Sequence, residues 1–222
     1  MNELADRLKA ETRVRIEVMR ADLTDPGDLA RVSARVSDEP TLNLLVNNAG
    51  FGSYGPFPEL SVPAINSLIA IHVTAVSCLT HAAVRQMPER GSGGIINMAS
   101  LLALSGSMPP RPLPYRAVYA GAKSFILTFT QALAAELANS SVRIQVCLPG
   151  LVATEFHGRS SFPRPLMQPD DAVDTSLKAL RQNEMVCIPG LENPLLIDRS
   201  LEAQGDLFRA GGGPTKAARY WK

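Results

Sequence analysis

The chain has 222 residues, of which 45% are hydrophobic and 19% charged, with 22 Lys and Arg against 21 Asp and Glu. That length and apolar content suffice for one globular domain with a buried core, and the balanced charge leaves no basic footprint for nucleic acid. The first ten residues mix charges of both signs without the apolar centre of a signal peptide, no run of about 18 apolar residues predicts a membrane span, and three scattered cysteines without a CxxC pair point to a reducing cytoplasm rather than a disulfide framework.

In chain order, residues 3–12 read as a helix and VRIEVM at 14–19, rich in β-branched residues, as a strand. Thr24 or Asp25 is placed to cap a helix from about Pro26 to Val36. NLLVNN at 43–48 is the second strand, and the two Gly and two Pro of 51–60 mark a loop. Residues 62–88 form the longest helical pattern, with an apolar stripe through Ile65, Leu68, Ile69, Val73, Val76, Leu79 and Ala83. His72 and His81 fall on opposite faces of it, and neither they nor His157 have companions at ligand spacing, so no metal site is predicted. GIINMAS at 94–100 is a third strand. A loop with Pro109, Pro110, Pro112 and Pro114 leads to a helix over roughly 115–138. VRIQVCLP at 142–149 and MVCIP at 185–189 are strands on either side of a helix from about Pro169 to Arg181. From residue 191 the signals are weak, and Gly211 to Gly213 suggest a mobile end, so residues 1–190 are read as the domain and 191–222 as a tail.

Apolar strands separated by helices of ten residues or more predict an α/β fold with a parallel sheet covered on both faces. Ligands in such sheets sit beyond the carboxyl ends of the strands, which singles out Asp22, Asn47 to Gly50, Ser100 and Pro149 to Thr154.

Three groups of residues there suit chemistry. Tyr119 and Lys123 lie four apart on one helix face. A phenol is a poor base at neutral pH, and a neighbouring ammonium lowers its pKa; Ser100, ending a strand, could hold a substrate oxygen opposite while the tyrosine moves the proton. The plain alternative is a packing tyrosine beside a solvated lysine. NNAG at 47–50 follows a strand: its amides could tie strand ends together, and Ala-Gly lets a flat ligand approach the backbone, unless it is simply a turn. PGLVAT at 149–154 offers Gly150 and the hydroxyl of Thr154, or again only a turn.

In this order, the groups resemble the short-chain dehydrogenase/reductase family over about residues 5–190. The family's NNAG matches Asn47 to Gly50, its serine Ser100, its YxxxK Tyr119 and Lys123, its Pro-Gly turn with a following Thr matches Pro149, Gly150 and Thr154, and its adenine-side Asp-Leu matches Asp22 and Leu23. The resemblance implies a Rossmann-like, doubly wound parallel sheet in three layers and hydride transfer between NAD or NADP and an alcohol/carbonyl pair. It implies Tyr119 as acid/base, Lys123 lowering its pKa and holding the nicotinamide ribose, and Ser100 orienting the substrate. Asn48, Ala49 and Gly50 would line the adenosine side, and Val152 and Thr154 the nicotinamide end. Cofactors carry the redox chemistry while the protein orients them.

Three departures follow. The family opens with a strand and a GxxxGxG turn that cradles pyrophosphate at a helix N-terminus, and here no glycine precedes Gly27. The family order 3-2-1-4-5-6-7 would put two strands between 14–19 and 43–48, so the fold is expected to lack its first two strands, as a truncated form of a longer protein, with weakened cofactor affinity. Ser100 and Tyr119 are 19 residues apart, more than the family usually shows, with the extra length in SMPPRPLPYR; Ser105 and Ser107 are rival serines and Tyr115 a decoy tyrosine. His72 stands where many members carry an asparagine that supports a proton-relay water, although a helix histidine satisfied by a backbone carbonyl is the plain alternative.

Residues 151–168 occupy the place of the family's substrate-covering loop. Phe156, Phe162, Leu166 and Met167, with Phe51, Tyr54 and Phe57, predict an apolar wall for a small-molecule alcohol or carbonyl. The helices 62–88 and 115–138 resemble those through which members form homo-oligomers. Two readings stand: an active oxidoreductase, or an inactive remnant serving as a binding or assembly subunit without cofactor.

Overall fold

The computed structural model describes residues 2–157 and 165–221. Contacts within the chain separate a unit ending at Pro189 from one starting at Gly190. The first unit opens with α1 (Asn2–Glu11) and α2 (Pro26–Ser37). Asp25 caps α2 by accepting from the Asp28 amide at 2.9 Å, with Pro26 at the first helical position, where its missing N–H costs nothing.

Four parallel strands follow: β1 (Leu44–Asn47), β2 (Gly93–Met98), β3 (Val142–Cys147) and β4 (Val186–Cys187), in the order β1-β2-β3-β4. The register pairs Asn47 with Asn97, Met98 with Cys147 and Cys147 with Cys187, so the carboxyl ends of the strands line up. Successive side chains point to opposite faces. On β2, Ile95 packs with Ala83, Met87, Val142 and Ile144, and Ile96 packs on the other face with Ala179, Leu180, Cys147 and Cys187. Both faces are therefore covered, the condition that lets parallel strands be apolar throughout.

Between β1 and β2 runs one continuous helical stretch: α3 (Val62–Ile69), a π-helical turn (Ala70–Thr74) and α4 (Ala75–Val84). Between β2 and β3 lies α5 (Ala117–Glu136), and between β3 and β4 lies α6 (Pro169–Arg181). The stretch Val62–Val84 is long and apolar enough to cross a membrane by length and composition, which the search for an unbroken apolar run did not anticipate. Its buried face carries Leu68, Ile71, His72, Ala75, Val76, Leu79 and Thr80, packed against α2, α5 and β1, which is the arrangement of a core helix.

The segment 14–19 is not a strand. Val14 and Val18 are 63% and 40% exposed, Glu17 pairs with Arg35 of α2 at 3.0 Å, and no ladder forms. β-branched residues favour a strand only where a neighbouring strand takes up their N–H and C=O groups and their side chains find packing, and none lies alongside among the described residues. β1 likewise pairs on one side only, with Leu44 and Val46 exposed along it. The second unit is not structureless: α7 (Leu195–Gly211) runs through most of it and stops at the glycines that suggested a mobile end.

Candidate active site

The polar cluster at the carboxyl ends of β1 and β2 begins with an internal tie. Asn47 Nδ2 donates to Asn97 Oδ1 at 2.8 Å and to Thr80 Oγ1 at 3.0 Å, and Asn97 Nδ2 donates to Thr130 Oγ1 at 3.0 Å. All four side chains are buried, so β1, β2, α4 and α5 are locked to one another below the site.

Above it β2 ends, and Ser100 follows in extended backbone. Its Oγ accepts from the Leu102 amide at 3.2 Å and so caps a 3-10 turn, Leu101–Leu104. The Ser100 hydroxyl meets the phenol of Tyr119 and pulls its pKa down. Tyr119 and Lys123, one turn apart on α5, are both buried. Lys123 Nζ donates to the Met98 carbonyl at 2.8 Å and sits 5.7 Å from the centre of the Tyr119 ring. Burial pushes Lys123 down to about 8.

The phenol's electrostatics differ from the expectation. Burial, aided by the Tyr54 hydroxyl, pushes Tyr119 well above the usual tyrosine range, and only Ser100 opposes the shift. The protein alone therefore keeps Tyr119 protonated. The Tyr54 ring lies 5.3 Å from that of Tyr119, tilted by 59°, and the Phe156 ring 6.3 Å away.

His72 lies on the π-helical turn and meets Tyr119 edge-on, ring centres 5.4 Å apart. Its Nε2 is 2.8 Å from the Phe51 carbonyl, which can only accept, so Nε2 carries the proton and Nδ1 is a bare acceptor; Nδ1 is buried with no partner among the described residues. The plain reading anticipated for this histidine is the one observed: a backbone carbonyl satisfies one ring nitrogen. Burial, helped by the charge of Lys123, holds the ring down to about 4. An unfolded histidine titrates near 6.5, so between these values the unfolded chain binds a proton that the folded chain refuses. Stability is accordingly expected to fall as pH drops from about 6.5 to about 4, by up to about 3 kcal/mol. Urea unfolding across that window checks it, and His72→Asn should flatten the slope; an unaltered slope contradicts the assignment.

Gly50 has a packing reason as well as the predicted ligand-facing one. A Cβ built there lies 2.4 Å from His72 Cε1. Gly50→Ala is expected to destabilise the fold by about 1–3 kcal/mol through overpacking, most of which His72→Ala should restore. Chemical denaturation of the two single variants and the double variant measures this.

The remaining predicted residues fall into two sets. Leu23, Asn48 and Ala49 line one cleft beside β1 with Val46, Ile71 and Val76. Asp22 turns inward on its own loop, its Oδ1 accepting from the amide and hydroxyl of Thr24 at 2.9 and 2.8 Å. On the β3 side, Pro149 accepts from the Leu101 amide at 3.0 Å and Gly150 packs on Leu101, so this turn abuts the one that Ser100 caps. Val152 bridges Met167, and Thr154 Oγ1 accepts from the Phe156 amide at 3.3 Å. Phe162 lies outside the described residues.

The profile of the short chain dehydrogenases matches residues 1–162. The chain belongs to the short chain dehydrogenase family. An uncharacterized oxidoreductase of Myxococcus xanthus is 31% identical over 168 residues, 75% of this chain and 62% of that protein, so the chain spans less than two thirds of this relative. A short-chain dehydrogenase from Sphingobium yanoikuyae, solved in complex with NADPH, is 31% identical with a TM-score of 0.91 over 99% of this chain and 85% of that one. A bulky-bulky ketone specific alcohol dehydrogenase from Comamonas testosteroni is 28% identical with a TM-score of 0.89 over 100% of this chain and 84% of that one. The parallel sheet flanked by helices is the Rossmann-like architecture of these structures.

Within that family frame the rival residues separate from the favoured ones. Ser105 is 3% exposed and wholly engaged, donating to the Leu102 carbonyl at 2.7 Å and accepting from Arg116 Nε at 2.6 Å. Tyr115 is half-exposed, and its carbonyl serves the Gly55 amide. Sequence reasoning assigned Tyr54 only to a wall and passed over Arg116. An arginine closing a proline-rich apolar loop was the signal available for the latter.

Proposed function

We propose that the chain interconverts a bulky apolar ketone and its secondary alcohol as a nicotinamide-dependent oxidoreductase, with Tyr119 as acid/base. One arrangement carries this reading: a buried phenol touching the Ser100 hydroxyl, with a buried ammonium one helical turn away. Bound NAD or NADP would supply or accept the hydride. Ser100 donates a hydrogen bond to the substrate oxygen, and Tyr119 delivers its proton to that oxygen, the phenol's raised pKa keeping it loaded for reduction. Lys123 faces the ring that is left as a phenolate and offsets its charge. His72 Nδ1 offers an acceptor where other members use asparagine, as a second stage of proton exchange.

The residues fit the cofactor in part. Leu23, Asn48, Ala49 and Gly50 suit its adenosine end, Tyr119 and Lys123 its nicotinamide ribose, and Val152 and Thr154 its nicotinamide end, the last with the Pro149 and Gly150 turn shaping the approach. The rival reading is a cofactor-free binding or assembly subunit. Around Tyr119 and His72 the rim is apolar and half-exposed: Phe51 39%, Tyr54 38% and Phe156 41%. That lining supports a bulky hydrophobic substrate.

The test is a fluorescence titration of the 222-residue chain with NADH and NADPH, followed by turnover of a diaryl ketone and of a small aliphatic ketone. Saturable binding with preference for the diaryl ketone is expected. No binding at millimolar cofactor would leave the subunit reading in its place.

A further inference from the structure

Arg116 is the cation that the site as described leaves unused. It is 8% exposed, and no carboxylate pairs with it among the described residues. A buried guanidinium without a counter-ion is costly unless its donors are taken up by other groups. Here they are. Nε donates to Ser105 Oγ at 2.6 Å, Nη2 to the Ser105 carbonyl at 2.6 Å and the Met108 carbonyl at 3.0 Å, and Nη1 to the Pro114 carbonyl at 3.0 Å. Arg116 is also the residue that immediately precedes α5, and instead of capping that helix its side chain reaches back across the loop.

Both ends of this brace bear on the acid/base pair. Ser105 closes the 3-10 turn that Ser100 opens, donating to Leu102, and Arg116 stands three residues before Tyr119. A second tie lies on the far side of Tyr119: Ser124 Oγ donates to the Ala103 carbonyl at 2.7 Å, with the Ala120 carbonyl 2.8 Å away. The turn after Ser100 is thus fastened to α5 at Arg116 and at Ser124, with Tyr119 between them. The 19-residue separation of Ser100 and Tyr119, which leaves a long proline-rich loop between the two hydroxyls, is closed by these bonds.

We infer that Arg116, acting through Ser105, is a positioning residue that sets the Ser100 hydroxyl against the Tyr119 phenol. This rests on the oxidoreductase reading above. Positioning errors of a fraction of an ångström weigh heavily on a proton transfer between fixed groups, so the consequence belongs in kcat rather than in KM.

The experiment is a double-mutant cycle on the full chain with NADPH and a diaryl ketone, using Arg116→Lys, the milder Ser105→Ala, Ser100→Ala and each combination with Ser100→Ala. Arg116→Lys and Ser105→Ala are expected to lower kcat by about 10- to 100-fold with KM unchanged, and to cost nothing further once Ser100 is alanine. Losses that multiply with Ser100→Ala, or no loss in either single variant, overturn the proposal. Hydrogen exchange of the amides of 101–108 reads the brace without any turnover: faster exchange there in Arg116→Lys, with β2 and β3 unaltered, is expected, and unchanged exchange refutes the brace. A wild-type chain that binds NADPH but turns over no ketone overturns the oxidoreductase reading and the catalytic role with it, and the exchange result then decides the brace alone.

Discussion

Tyr119→Phe is expected to reduce turnover by about 1,000-fold or more while leaving cofactor affinity and folding stability close to those of the parent. The substitution removes one oxygen from a ring that stays packed between Tyr54, His72 and Phe156. It takes away the proton that the substrate oxygen needs and little else. Stability should even rise slightly, since a buried hydroxyl that meets only Ser100 and Tyr54 gives up little on removal. Steady-state reduction of a ketone, with thermal melting of both proteins, measures the two quantities together. A rate within about ten-fold of the parent would place the acid elsewhere.

Lys123→Met is expected to separate stability from activity. Folding holds Lys123 down to about 8 because burial disfavours its charge, so at neutral pH the folded protein carries a cation in a place that resists it. The sign follows directly. With an unfolded value near 10.4, the unfolded chain holds the extra proton between about 8 and 10, and stability rises with pH across that window. Methionine removes this burden and also the bond to the Met98 carbonyl at 2.8 Å, so the net change in stability should stay within about 1 kcal/mol of zero. Activity should nevertheless fall by about 100-fold, because the phenolate formed beneath the substrate loses the cation that lies 5.7 Å from its ring. The rise in stability between pH 8 and 10 should vanish in the variant. Stability lost in proportion to activity would mean that Lys123 is chiefly a structural tie.

The sheet was legible where burial dictates the residues. NLLVNN, VRIQVCLP and MVCIP contain β1, β3 and β4, and GIINMAS covers β2 but for Gly93; β2 and β3 read clearly because a strand covered on both faces has to be apolar whatever its neighbours. VRIEVM carries the same β-branched composition and forms no strand, because pairing is a property of two segments and the composition of one says nothing about the other. The π-helical turn at Ala70–Thr74 was hidden for a related reason: one extra residue in a turn does not disturb an apolar stripe that is already wide. α7 was missed because its apolar residues are interrupted by Asp198, Arg199 and Gly205.

At the site, Ser100, Tyr119 and Lys123, singled out from the order of short motifs, lie beside one another, since helix periodicity and strand ends are local rules. What the spacing could not give was electrostatics. The expectation that an ammonium four residues away depresses the phenol leaves out burial, which raises it, with the Tyr54 hydroxyl acting in the same direction. The long spacing from Ser100 to Tyr119 left Ser105 a rival of Ser100 in the sequence; in the fold Arg116 occupies Ser105, while Ser100 meets the phenol. A guanidinium satisfied by loop carbonyls leaves no complementary charge in the sequence to announce it.

Isotope transfer tests the central claim most directly. The 222-residue chain is incubated with nicotinamide cofactor deuterated at the transferable position and a diaryl ketone, and the product is read by mass spectrometry. The account predicts an alcohol with one deuterium on the carbinol carbon, formed in step with oxidised cofactor and absent from Tyr119→Phe. Recovery of unreacted ketone from a chain shown to bind the cofactor would contradict it.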